Sequence, residues 1–342
     1  MIEITRRKDF LPITSSIGDY LDRFGRRHSL PTTYAALLEF DQSYPLYDAA
    51  GNATHWSSVV YERSLQEILW PQLTSIYALL KTGDLHAVPH LHIERVDYCE
   101  FGNSKPFRVR VVNNYNDNYD HFYMKIADAS RIYGLELEHL LSPNRITYLV
   151  HQNTLVEEHI AGVPGDAFLR DYVERGDLNR VRIAKEFVKF SERCFVRLLG
   201  DMRSYNYVID ITPDFEDVQY RVRAIDFDQQ SYEGRKNLYL PQFYKENQRV
   251  VQMCSECLNF PTMKQYQEEE RNLIARRYLS EQERITDIFQ CMKENATEPK
   301  EKVEQLRHEL AEFHHAAEFE QCATMGDVVE MHLQHSLARH LV

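Results

Sequence analysis

Four side chains in the middle of this chain have the types and spacing to hold a divalent cation against phosphate: Asp201, Asn206, Asp226 and Asp228. They fall within residues 199–229, LGDMRSYNYVIDITPDFEDVQYRVRAIDFDQ. Tyr207-Val208-Ile209 and the run from Val218 to Ile225 have the β-branched and aromatic content of strands. Thr212-Pro213-Asp214 between them has turn chemistry, so a hairpin is expected. It would bring Asp201 and Asn206, just ahead of its first strand, close to Asp226 and Asp228, just after its second. Three carboxylates and an amide oxygen at one point are the hard donors that Mg²⁺ requires.

The order of these residues resembles the catalytic core of the protein-kinase-like superfamily. Asp201 and Asn206 have the D-x-x-x-x-N spacing, an apolar-Ile-Asp strand follows, and Asp226-Phe227-Asp228 stands where protein kinases carry Asp-Phe-Gly. Gly200-Asp201 and Asp226-Phe227-Asp228 are more similar to the small-molecule branch, the aminoglycoside and choline phosphotransferases, than to typical protein kinases. The His that usually precedes the catalytic loop by two positions is Leu199 here. The resemblance implies in-line transfer of the γ-phosphoryl group of ATP, with positioning and charge neutralisation supplying most of the catalysis. It makes Asp201 the acceptor of the hydroxyl proton and gives Mg²⁺ to Asn206 and Asp226. Asp228 would assist the metal or face the acceptor. Arg203 would steady the γ-phosphate, or else form a salt bridge to a neighbouring acidic residue.

Other elements must position that loop. His92 to Glu100, Pro106 to Asn113 and His121 to Ala127 read as strands. Lys125, inside the third of these, needs a partner if its ammonium is buried. The resemblance implies nucleotide phosphates and a glutamate of the next helix, Glu136 in preference to Glu138. Phe101-Gly102-Asn103-Ser104-Lys105 stands where a phosphate-covering loop would lie, with Gly102 its single glycine, and a plain hairpin turn is the alternative. Arg145 to Val150 and Thr154 to Ile160 read as two more strands. The segment LVEEHIAGVPG resembles the family's link between lobes, where backbone groups around Glu158 and Ile160 meet the adenine. Residues 179–198 read as a helix, because Ile183, Phe187, Phe190, Cys194 and Leu198 recur at three- and four-residue steps. Tyr61 to Lys81 reads as an amphipathic helix interrupted at Pro71, and residues 51–56 as a hairpin turn in preference to a phosphate-contacting loop. After Tyr232 the chain reads as helix to its end, over 248–258, 262–278, 280–295, 301–322 and 325–341.

Composition narrows the class. A net charge of −12 over 342 residues argues against general nucleic-acid or anionic-membrane binding, which wants a basic face. Six cysteines in a chain this long are not a disulfide framework. Cys254 and Cys257 form a lone CxxC, read as a helical surface-plus-core pair, and the histidines at 314, 315, 332, 335 and 340 read as surface and packing residues. With no apolar leader or span-length run, a cytoplasmic protein is expected. The expected fold is α+β and bilobal, protein-kinase-like. Its parts are an N-terminal extension over 1–88, a small β-rich N-lobe over 89–160, and a larger helical C-lobe over 161–342 with the catalytic hairpin at 199–230. The expected function is an ATP- and Mg²⁺-dependent phosphotransferase acting on a hydroxyl of a small-molecule or protein acceptor. A pseudokinase scaffold and a metal-dependent hydrolase are the alternatives, and the hydrolase has no use for Lys125 in an apolar strand.

Overall fold

The structure, a computed structural model, describes residues 8–48, 51–84, 89–101, 104–176, 178–215, 218–296 and 298–341. The chain divides into two compact units, residues 1–129 with 146–159, and residues 130–145 with 160–342. The first is built on an antiparallel sheet and the second is mostly helical, an α+β arrangement.

In the first unit, helices α1 (Ser15–Arg23) and α2 (Tyr34–Leu37) precede strands β1 (Gln42–Tyr47) and β2 (Ala53–Val60). Helix α3 (Arg63–Thr82) follows, then β3 (Leu91–Cys99), β4 (Phe107–Asn113), β5 (Tyr119–Ile126), β6 (Tyr148–His151) and β7 (Thr154–Glu158). All seven strands share one antiparallel sheet in the order β1-β2-β3-β4-β5-β7-β6. The region expected as an extension is therefore part of the same sheet as residues 89–160. Leu69, Leu73, Ile76 and Leu80 of α3 join Val59, Val96, Val109, Phe122, Met124 and Val156 of the strands in one core. That burial explains why α3 runs unbroken through Pro71. A mid-helix proline costs about 3 kcal/mol, whereas each buried leucine or isoleucine returns about 1.5–3 kcal/mol. The helix ends at Gly83, whose φ of +79° suits glycine and whose amide donates to the Leu79 carbonyl.

The second unit holds α4 (Ala129–Leu141), β8 (Val163–Pro164), α5 (Gly165–Asp171), α6 (Arg180–Arg197), β9 (Tyr207–Pro213) and β10 (Val218–Ala224). It continues through α7 (Gln248–Cys257), α8 (Phe260–Ser280), α9 (Gln282–Glu294), α10 (Lys300–His314) and α11 (Met325–Leu337). The hairpin stands as expected, with Tyr207 opposite Ala224 and Pro213 opposite Val218. Helix α6 also matches its periodicity: Asn179 caps it through the Arg182 amide, and Ile183, Phe187, Phe190, Cys194 and Leu198 are buried. Two helical expectations need correction. Residues 236–247 form three short 3₁₀ turns, and α10 stops at His314 because His315 takes a left-handed φ of +53°. Cys254 is buried and Cys257 half-buried on one helix, the arrangement expected of that pair. Among the described residues no helix is long and apolar enough to cross a membrane.

The histidines near the end of the chain divide as expected between surface and packing: His308 and His315 are exposed, and His332 lies in the core. His332 is fully buried, and its Nε2 donates to the Phe195 carbonyl at 2.9 Å. A carbonyl can only accept, so a neutral His332 presents Nδ1 as acceptor to His314 Nε2, 2.9 Å away. Burial, joined by the neighbouring His314 ring, pushes His332 down to about 3. Burial, joined by His335, Arg271 and Lys236, pushes His314 down to about 4. Both groups stay neutral in the folded chain while the unfolded chain protonates them near 6.5. Their contribution is therefore complete above pH 6.5 and is lost as pH falls from there toward 4, at up to about 1.4 kcal/mol per pH unit for each histidine. Urea denaturation at pH 7, 6 and 5 should show stability falling over this range, and His314→Gln should flatten the slope. An unchanged slope would remove the pair as its source.

Candidate functional site

The hairpin brings its two flanking loops together by backbone bonds before any side chain acts. Leu199 and Gln230 form an antiparallel bridge, and the Gly200 amide donates to the Gln229 carbonyl at 3.1 Å. At the other end the Ile225 amide donates to the Asn206 carbonyl at 3.0 Å, which sets Asn206 beside Asp226. Asn206 Nδ2 donates to the Asp201 carbonyl at 2.7 Å and to Asp201 Oδ2 at 3.2 Å. The hairpin thus sets the Asn206 backbone alongside that of Asp226 while the Asn206 side chain engages Asp201, and the three carboxylates do not gather into a metal-holding group among the described residues.

Asp201 has a left-handed φ of +55°, so the loop turns sharply at the carboxylate itself. The turn is braced from residues 238–247, a segment without a sequence signal. Tyr244 hydroxyl accepts the Asp201 amide at 2.9 Å and donates to the Leu238 carbonyl at 2.6 Å. Asn247 Nδ2 donates to the Met202 and Pro241 carbonyls, both at 2.8 Å, and its Oδ1 accepts from the Tyr207 hydroxyl at 2.9 Å. These contacts supply support where position 199 offers only a leucine. Arg203 takes the salt-bridge alternative: Nε lies 2.8 Å from Asp201 Oδ1 and Nη1 lies 2.8 Å from Glu246 Oε1. Burial raises the Asp201 carboxyl above its ordinary value, against the opposing pull of Arg203. Beside the loop opens a pocket of about 280 Å³, lined by Asp166, Leu169, Arg170, Ser204, Glu246 and Arg249.

Asp226 and Asp228 meet a residue that sequence reasoning passed over. Arg131, in the first turn of α4 and 1% exposed, places Nη1 2.8 Å from Asp226 Oδ1 and 2.8 Å from Asp228 Oδ1. The signal was present, since an arginine in an apolar helix needs a partner as much as Lys125 in an apolar strand does. Ser130 Oγ donates to the carbonyls of Asp228 and Gln230, at 3.1 and 3.0 Å. Among the described residues no group of three or more His, Cys, Asp or Glu side chains is arranged to hold a metal ion. The amide of Asn206 nevertheless suits one: its Nδ2 is spent on Asp201, and among the described residues its Oδ1 accepts no hydrogen bond. With a carboxylate oxygen of Asp226 it offers the hard donors Mg²⁺ takes.

The remaining expected residues are distributed as follows. Lys125 Nζ lies 2.8 Å from Glu157 Oε2, a buried pair between neighbouring strands of the first unit. Glu157 was not anticipated, although it lies in the apolar run of β7. Glu136 and Glu138 belong to the second unit, where Arg284 donates to Glu136 at 2.7 Å and Arg197 pairs with Glu138. The Glu158 amide is committed to the Thr147 carbonyl at 3.1 Å, and its carboxylate accepts the Thr147 amide, so this N–H does not point to a base. Ile160 is buried, and Gly102 lies outside the described residues. No protein-family model matches the chain, and no curated protein matches it.

The Lys125–Glu157 pair changes what a lysine variant measures. Both side chains are nearly inaccessible, at 9% and 6% exposure. Lys125→Met removes the ammonium from that carboxylate and should cost about 3–5 kcal/mol, the range for breaking a buried pair. Lys125→Met with Glu157→Leu should recover most of that loss. Denaturation of both variants checks this, and a single variant as stable as the parent would show the pair to be weak.

Proposed function

We propose that the chain is a kinase-like, ATP- and Mg²⁺-dependent phosphotransferase that moves the γ-phosphoryl group to a hydroxyl of a small-molecule or protein acceptor. The observation that carries this function is the double engagement of Asn206. Its side chain holds Asp201 and its carbonyl holds Ile225, next to Asp226, so a candidate base and a candidate metal ligand are fixed to one residue. Asp201 Oδ2 takes the proton of the acceptor hydroxyl, and Arg203 keeps that carboxylate in one rotamer. Asn206 Oδ1 and Asp226 hold Mg²⁺, which when bound neutralises the nucleotide phosphates. In this function the pocket at Ser204 and Glu246, on the Arg203 side of the loop, offers room for the acceptor.

One observation favours a second function, a nucleotide-free scaffold of the same fold. The Arg131 guanidinium already occupies the space between Asp226 and Asp228 and cancels part of the charge a metal would seek. The two are separated by paired titration and rate measurements. For the phosphotransferase, ATP with Mg²⁺ raises the thermal midpoint, since a ligand of the folded state stabilises it by mass action. Asp226→Asn should weaken that Mg²⁺-dependent binding. Asp201→Asn should leave it nearly unchanged and cut turnover by a factor on the order of 10² or more, as for loss of a general base. Equal loss of nucleotide affinity in both variants would put Asp201 on the metal. No midpoint shift at millimolar nucleotide would leave the scaffold.

A further inference from the structure

We infer that Arg131 is a built-in cation of the acidic pair Asp226/Asp228: a positioning residue that does permanently what a second divalent ion would otherwise do. The inference rests on the phosphotransferase function for its role in catalysis, but its electrostatic content stands on the second unit alone.

A single nitrogen, Arg131 Nη1, is 2.8 Å from one oxygen of each aspartate. Two carboxylates drawn to one point repel, and a cation between them offsets that repulsion. A guanidinium supplies that charge at every accessible pH, because it cannot be deprotonated in a protein. It is held there from several directions. Nη2 donates toward the Ile225 carbonyl at 3.4 Å, and the Phe227 ring lies 5.9 Å from the guanidinium carbon. Ser130 grips the backbone of Asp228 and Gln230, and the Asp228 amide donates to Asp226 Oδ1 at 3.2 Å. Gly134, one turn along α4, lets the helix come close: a methyl group there would lie 2.8 Å from Phe227 Cβ. The first turns of α4 are thus shaped to this segment, with Arg131 at its acidic end. The guanidinium offsets one of the two carboxylate charges that a metal would meet. The site is accordingly one for a single Mg²⁺, with the second cation position taken by the protein.

The test is Mn²⁺ binding, followed by electron paramagnetic resonance and by thermal midpoint, first without nucleotide. The parent should show no tight Mn²⁺ site. Arg131→Met should gain one, at least about tenfold tighter, because the aspartates lose their neutralising charge. Arg131→Met with Asp228→Asn should lose it again, and Arg131→Lys, which keeps a charge, should not gain it. If Arg131→Met is destabilised, Mn²⁺ should restore its midpoint while doing little for the parent, an effect that loss of packing alone would not give. A variant that neither gains Mn²⁺ nor recovers with it overturns the inference. With ATP present the parent should bind one Mn²⁺, and two bound ions would also overturn it. Absence of any nucleotide binding, by contrast, would remove the phosphotransferase function and leave the ion-free comparison standing.

Discussion

A charge taken out of water has to be neutralised where it lies, and the helical unit is organised by that constraint. Its helices carry carboxylates and guanidiniums on their buried faces, and these are met by partners from distant stretches of chain. Glu136 of α4 meets Arg284 of α9, and Glu138 meets Arg197 of α6. Glu192 and Arg193, adjacent on α6, meet Arg271 and Glu270, adjacent on α8. Arg131 meets the acidic pair that follows β10. A hydrophobic replacement of such a pair is often as stable or more so, while removal of one partner costs several kcal/mol. What the pairs supply is therefore register. They penalise a slide of α4, α6, α8 or α9 past one another far more than apolar packing alone would.

That register reaches the loop through the end of α6. Arg193 is bonded to the Val222 carbonyl of β10 as well as to Glu270, so the helix is tied to the strand that leads to Asp226. Gln230 Nε2 donates to the Arg197 carbonyl at 2.6 Å, in the last helical turn. The left-handed residues Leu198 and Asp201 then turn the chain out of the helix and back on itself within four positions. Strain of this kind, about 1–3 kcal/mol for each non-glycine residue so held, persists only where the surroundings over-determine it. Tyr244, Asn247 and Asn206 are those surroundings.

Local features of the fold were legible in the sequence and distant pairings were not. The hairpin, α6 and strands β3 to β7 follow from period and turn chemistry, because each is decided within about ten residues, whereas β1 and β2 were not read from the sequence. The fate of Pro71 was not legible, since it depends on the sheet that α3 covers. The same limit applied to the site. That Lys125 needs a carboxylate follows from its surroundings, but which one depends on sheet register, and β7 sets Glu157 opposite Tyr123 on the strand beside it. Arg131 and Asp226 are 95 positions apart, and Arg284 and Glu136 are 148 apart. Nothing in a single sequence connects residues at such separations. The bracing of Asp201 by residues 238–247 was hidden for another reason: Tyr and Asn act there through one hydroxyl and one amide, which leave no periodic trace.

A guanidinium and a divalent ion are not equivalent occupants of an acidic pair, and the difference bears on how the proposed site would work. Mg²⁺ exchanges with solvent, demands near-octahedral oxygens and arrives with its nucleotide. Arg131 is planar, singly charged, covalently attached and buried. The guanidinium holds one oxygen of Asp226 and one of Asp228 at 2.8 Å from the same nitrogen. Asp201 is treated in the same way by Arg203, which is itself anchored on Glu246. The acidic groups are thus held by arginines, and in the proposed function an incoming cation would have little to reorganise. Such pre-organisation lowers the cost of binding at the expense of the strongest charge attraction. Under the proposed function such a site would favour geometry over affinity for metal, because Arg131 lies against the same carboxylates the ion would approach.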